Sequence, residues 1–199
     1  MSPVLPLEEG IDAAVAVLRA GGLVIHPTET VYGIGCALSA GEAGLRRLRA
    51  AKGSADDRPY LLVAANEAQA FALWRRVSST AAALAQAHWP GALSLIGPAA
   101  AGLPPGLCGP GDPPSLGVRV PGHPGLRRLL EALGEPMVST SANPAGQPAP
   151  RSRPSDDLGA DLLLDGGECP GGRPSTILSL MTDPPQVLRA GPVPWPPPR

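Results

Sequence analysis

The chain has 199 residues, 43% of them hydrophobic, with 16 Lys and Arg against 17 Asp and Glu and a formal net charge of −1. A chain of this size buries about 70% of its unfolded surface and forms one domain by default, and its balanced charge excludes a generally basic nucleic-acid coat protein. No apolar run reaches the ~18 residues of a membrane span, and the N-terminus has neither the basic start nor the apolar core of a signal peptide, so the cytoplasm is the expected location.

Between Glu8 and Ala20, residues Ile11, Ala14, Val15 and Leu18 fall at helical spacing, and Gly21 is a natural stop. Leu23 to Ile25 reads as a short buried strand, and Pro27 to Gly33 as the loop after it. Ser39 and Glu42 have capping-box spacing and open a helix through Leu45 and Leu48 to Lys52, with Gly53 as C-cap. Tyr60 to Ala64 reads as a strand, Asn66 caps a helix running to about Arg75, Thr80 to Ala87 forms another helix, and Ala92 to Ile96 another strand. The six prolines between 98 and 114 mark a long surface loop, a feature often functional in a compact domain. Leu116 to Val120 is a strand, Pro124 to Leu133 a helix that His123 caps, and Pro136 to Ser139 a strand followed by a loop from Ser141 to about Pro154. Leu162 to Leu164, Ser175 to Leu180 and Gln186 to Leu188 read as short strands. Alternating elements without repeats predict an α/β or α+β fold, with the strand order left open. Residues 1–191 are expected to form one domain and 192–199 a proline-rich extended tail.

Cys36, Cys108 and Cys169 form no CxxC pair, and the three histidines are scattered, which speaks against a disulfide framework or a structural zinc. Nucleotide signatures are also missing. The only lysine, Lys52, is followed by Gly53 rather than Ser or Thr, Leu38 occupies the third glycine position after Gly33 and Gly35, and no GxSxG is present. What remains is a set of hydroxyl- and cation-bearing segments at strand ends: Thr28 to Gly33, Lys52-Gly53 with Arg58, Arg119, Ser139 to Asn143, Arg173 to Thr176, and Arg189. Such groups suit a phosphate or a carboxylate, although each segment alone is also ordinary turn chemistry. Arg119 stands out, because a cation inside the apolar strand Gly117-Val118-Arg119-Val120 must be paired or must bind something.

In combination these segments resemble the Sua5/YciO/YrdC family over about Gly21 to Gly191. The carriers are Gly22-Leu-Val-Ile-His-Pro-Thr-Glu-Thr-Val-Tyr-Gly-Ile-Gly35, Ala51-Lys52-Gly53, Trp89-Pro90-Gly91, Val118-Arg119-Val120-Pro121, Ser139-Thr-Ser-Ala-Asn143, Pro174-Ser175-Thr176 and Leu188-Arg189-Ala190-Gly191. The resemblance implies a twisted, open mixed sheet flanked by helices, with a concave, positively charged cavity. It implies the nucleotidyltransferase reaction of L-threonine, bicarbonate and ATP to threonylcarbamoyl-AMP and pyrophosphate. The product would pass to other proteins that modify adenosine 37 of certain tRNAs. Thr30, Arg119, Ser139 and Ser175 would then hold threonine. Lys52, Ser141, Asn143 and Arg189 would hold ATP, with Ser115 and Arg58 near them, and Lys52 and Arg58 would serve catalysis. Mg2+ would be carried by the phosphates of ATP rather than by a protein cage. One departure is Ser54, where the family commonly has arginine. The alternative reading is a non-catalytic or altered-substrate paralogue that binds double-stranded RNA or tRNA through Arg46, Arg47, Arg49, Lys52, Arg75-Arg76 and Arg127-Arg128. A plain solvated helix face accounts for the same residues.

Overall fold

A computed structural model describes residues 2–53, 60–104 and 106–196. Its strands are β1 (Val4–Pro6), β2 (Val24–His26), β3 (Gly33–Ala37), β4 (Leu61–Val63), β5 (Leu93–Pro98), β6 (Ser115–Arg119), β7 (Met137–Ser141), β8 (Leu162–Asp165), β9 (Thr176–Ser179) and β10 (Gln186–Arg189). They form one mixed sheet in the order β1-β8-β2-β3-β7-β4-β6-β5-β9-β10. The helices are α1 (Ile11–Arg19), α2 (Gly41–Lys52), α3 (Glu67–Phe71), α4 (Ser79–His88) and α5 (Pro124–Leu133). The expected mixed α/β architecture is present.

The sheet has two unlike faces. On one, Ile34, Cys36, Leu62, Leu95, Val118 and Val138 pack under Leu45 and Leu48 of α2, Ala70 of α3 and Leu84 of α4. On the other, Val24, Ala37, Val63 and Met137 pack under α1 and α5. Leu126, Leu129, Leu130 and Leu133 give α5 its single apolar stripe. Along that second face the residue type changes within β7 and β3. Met137 gives way to Ser139 and Ser141 in β7, and Ala37 to Gly35 and Gly33 in β3, since alternate residues share a face. The apolar end is roofed by helices, and the small, polar end is open.

Two strands lie beyond the sequence reading. β1 adds parallel to β8 at the sheet margin. β3 sits between β2 and β7, where its glycines are required by contact. A Cβ on Gly35 would lie 2.6 Å from the Val138 carbonyl, and one on Gly33 would lie 2.8 Å from His26 Cε1. Close backbone approach thus overrides the low strand propensity of Gly-Ile-Gly.

Helix boundaries also shifted. Ser39 does not cap α2. It lies in a 3-10 turn (Leu38–Ala40), and its N–H and hydroxyl both donate to the Glu135 carboxylate, at 2.8 and 2.7 Å. Asn66 caps α3 as expected, accepting from the Gln69 N–H, but that helix stops at Phe71 because Trp74 and Arg75 pair with Ala99 and Pro98 instead. His123 accepts from the Leu126 N–H at the start of α5. Gly53 ends α2 at a φ of +61°, a conformation that L side chains rarely adopt. The 98–114 segment buries Leu107 and receives a hydrogen bond from Arg49 at the Gly106 carbonyl, so its middle packs beside α2. Val193 exchanges hydrogen bonds with the Thr176 hydroxyl, and Trp195 packs against the larger core.

Leu62 lies fully buried in central β4. Leu62→Ala is expected to cost about 2–5 kcal/mol in chemical denaturation, and a loss below about 1 kcal/mol would contradict this packing.

Candidate functional site

The open half of the second face is the floor of a cavity of about 550 Å³, in the size range of small-molecule sites. Its wall includes Thr30, Lys52, Arg119, Ser139, Ser141, Asn143, Ser175 and Arg189, residues drawn from seven separate parts of the chain, counting Asn143 apart from β7. No Asp or Glu is among its described lining residues. Ser115 is not in the wall. It starts β6, bridged to Gly109, roughly 13 Å along the strand from Arg119. Ser54 and Arg58 lie outside the described residues. No described residue of the 98–114 loop lines the cavity.

Arg119 is 7% exposed and fully engaged on its inner side. Its Nη2 donates to Glu29 Oε1 at 2.6 Å, its Nε to the Gly91 carbonyl at 2.9 Å, and its Nη1 lies 3.5 Å from Thr30 Oγ1. The same Glu29 oxygen accepts the Gly122 N–H at 2.7 Å. Burial pushes the Glu29 pKa up, but Arg119 and the Gly122 N–H hold the carboxyl below its usual value. The Thr28 hydroxyl accepts the N–H groups of Thr30 and Val31 and donates to the Val31 carbonyl, with Thr30 Oγ1 2.8 Å away. That turn fixes the loop between β2 and β3 against the end of β6.

Lys52 closes a different part of the wall. Its Nζ donates to the Ser141 carbonyl at 2.8 Å and the Asn143 carbonyl at 2.5 Å, and its own carbonyl accepts the Ala145 N–H. The ammonium therefore holds the loop after β7, whose Asn143 amide also donates to the Pro144 and Gln147 carbonyls. Opposite, Arg189 donates from Nε to the Ser175 carbonyl and from Nη2 to its hydroxyl, at 2.9 and 3.0 Å. The buried Ser94 hydroxyl lies 2.8 Å from Ser175 Oγ.

Four contributors are given no role of their own in the sequence reading: Glu29, His26 and Tyr32, which lie inside its quoted motifs, and Ser94. Glu29 was signalled by Arg119, since a buried cation requires an acid nearby. His26 lies behind the wall, wholly buried, with Nε2 3.3 Å from Ser139 Oγ. Tyr32 donates to the Gly167 carbonyl and accepts the Gly166 N–H, which anchors the loop after β8. The basic residues of the RNA reading are largely engaged within the chain. Arg46 pairs with Glu42, Arg47 with Asp161 and Arg128 with Glu8, while Arg75 donates to the Ala99 carbonyl.

Known proteins are similar to this chain in sequence and in fold. The Sua5_yciO_yrdC family model, described as "Telomere recombination", matches residues 16–191, and the chain belongs to that family. Threonylcarbamoyl-AMP synthase of Stenotrophomonas maltophilia is 40% identical over 187 residues, covering 90% of this chain and 97% of that protein. The Pyrococcus abyssi enzyme of the same name is 36% identical over 188 residues, covering 92% of this chain and 54% of that protein. This chain thus spans about half the length of the archaeal relative. The structure of P. abyssi Sua5 complexed with L-threonine superposes with a TM-score of 0.88 at 33% identity, covering 98% of this chain and 58% of that one. Escherichia coli YciO superposes with a TM-score of 0.83 at 29% identity, covering 96% of both chains.

Burial lowers the His26 pKa from 6.5 to about 4. The unfolded chain therefore binds a proton that the folded chain refuses, and stability falls as pH drops from about 6.5 to about 4. The loss attributable to His26 is on the order of 3 kcal/mol. Unfolding free energies at pH 7 and 4.5 are expected to differ more in wild type than in His26→Gln, and equal differences would contradict the assignment.

Proposed function

We propose that the chain is a threonylcarbamoyl-AMP synthase, converting L-threonine, bicarbonate and ATP to threonylcarbamoyl-AMP and pyrophosphate. The observation that carries the reading is the convergence of Thr30, Arg119, Ser139 and Ser175 with Lys52, Ser141, Asn143 and Arg189 on one cavity. The names of the relatives and the threonine bound to a similar fold support it. The activity is assigned to residues 1–191 as one domain, with 192–199 as a proline-rich C-terminal tail.

In this reading Arg119 and Thr30 seat the threonine carboxylate, and Ser139 and Ser175 line the same end. Arg189, Ser141 and Asn143 face the nucleotide phosphates, and Ser115, outside the wall at the far end of β6, takes no part. Lys52 serves by holding the 141–145 loop in place. The threonine amine forms its N–C bond to carbon dioxide with loss of a proton, or to bicarbonate with loss of water, to give a carbamate. A carbamate oxygen then attacks the α-phosphorus, and pyrophosphate leaves. No protein nucleophile takes part, so alignment of the two reactants and neutralisation of phosphate charge supply the rate. The described wall offers no carboxylate to hold magnesium. An ion carried by the triphosphate would add charge neutralisation there. The threonylcarbamoyl group would then pass to other proteins acting on tRNA adenosine 37. The RNA-binding alternative is not favoured, given the internal partners of its basic residues.

Pyrophosphate release from purified protein with ATP and bicarbonate is expected to depend on L-threonine. Arg119→Ala is expected to lower kcat/KM for threonine about ten- to a hundredfold, the cost of a charge-assisted hydrogen bond. Release that ignores threonine would overturn the proposal.

A further inference from the structure

The cavity presents two kinds of cation. Arg119 brings its own counter-ion, for Glu29 lies 2.6 Å away and the two side chains are only 8% and 20% exposed. Arg189 has neutral partners, the carbonyl and hydroxyl of Ser175, and forms no ion pair among the described residues. Burial and the nearby Arg119 lower the pKa of Arg189, as expected for a cation short of negative charge.

Glu29 stands behind Arg119, outside the wall, held by the Gly122 N–H. Arginine has five N–H donors. In Arg119 the contacts to Gly91, Glu29 and Thr30 use three, leaving two for a ligand. Two ligand classes compete for such a fork. A carboxylate carries one charge and matches it geometrically, whereas phosphate carries up to two charges and more acceptor oxygens. Away from bulk water, the net charge of the seat decides which of them gains more.

We infer that Glu29 sets the charge selectivity of the cavity: by neutralising Arg119 it makes that end a seat for a monoanionic carboxylate and leaves phosphate groups to the Arg189 end. The inference deepens the synthase reading and rests on it for the identity of the carboxylate as that of an amino acid. It also gives the cavity a direction. Were both ends equally cationic, a triphosphate could occupy the amino-acid seat, and the two substrates would exclude each other.

The test uses the full chain with 15N-labelled arginine, titrated with inorganic phosphate. The Nε–H signals of Arg119 and Arg189 are assigned with Arg119→Lys and Arg189→Lys. In wild type the Arg189 signal is expected to shift first, and the Arg119 signal only at phosphate concentrations at least about tenfold higher. A wild-type response at Arg119 first, at both together or at neither overturns the inference. Glu29→Gln keeps the shape and an acceptor oxygen but removes the charge. In that variant Arg119 is expected to respond at phosphate concentrations at least about tenfold lower than in wild type, and an unchanged response overturns the inference. The wild-type arm can overturn the inference even where the variant fails to fold. Neither arm needs turnover, so a failure of threonine-dependent pyrophosphate release would remove the synthase reading and leave the phosphate result to be judged by itself.

Discussion

A sheet of ten strands has more surface than five short helices can cover, and the cavity exists because one face is roofed over only half its length. Where α1 and α5 lie, the strands carry Val24, Ala37, Val63 and Met137. Beyond the helices the same strands switch to Gly33, Ser139 and Ser141, and neighbouring strands present Ser94 and Arg119. An apolar floor there would be an exposed hydrophobic patch. A floor in which small residues, hydroxyls and cations stand among Leu61, Val63 and Ile177 is stable in water and ready for a polar ligand. The fold and the site thus follow together from the partition along β3 and β7.

Electrostatics divides the cavity further. Arg119 is buried in an otherwise apolar strand and is tolerated because Glu29 and the Gly91 carbonyl receive its N–H groups. The same pair ties the Thr28–Thr30 turn to β6, so one interaction serves charge balance and geometry together. His26 contributes in the opposite sense. Burial keeps its ring neutral, and a neutral ring can sit against Ser139 without adding a further cation beside Arg119. Lys52 spends its donors on backbone carbonyls of the loop that carries Ser141 and Asn143. These bonds tie that part of the wall to the end of α2.

Much of this was legible in the sequence, for reasons that differ by element. α5 announced itself through a leucine stripe and a proline at its first position, with His123 before it. Arg119 was conspicuous because charge inside an apolar strand needs an explanation. β3 was invisible because its glycines answer to contacts with Val138 and His26 that only the assembled sheet creates. Ser39 misled for the same reason: its spacing to Glu42 fits a local capping box, but Glu135, distant in sequence, takes both of its donors. Glu29 lay in plain view within Pro27-Thr28-Glu29-Thr30, yet its role depends on β6 reaching the same place. Local periodicity could be read directly, whereas long-range partners could only be inferred as a demand for a counter-ion.

The division of the cavity turns on where an amino acid binds. A crystal structure of this chain with L-threonine tests that directly. The expected result has the carboxylate on the two remaining N–H groups of Arg119, within reach of Thr30 and Ser139, with the Glu29–Arg119 pair intact. Threonine bound at the Arg189 end, or Arg119 turned away from Glu29 to meet it, would contradict the account.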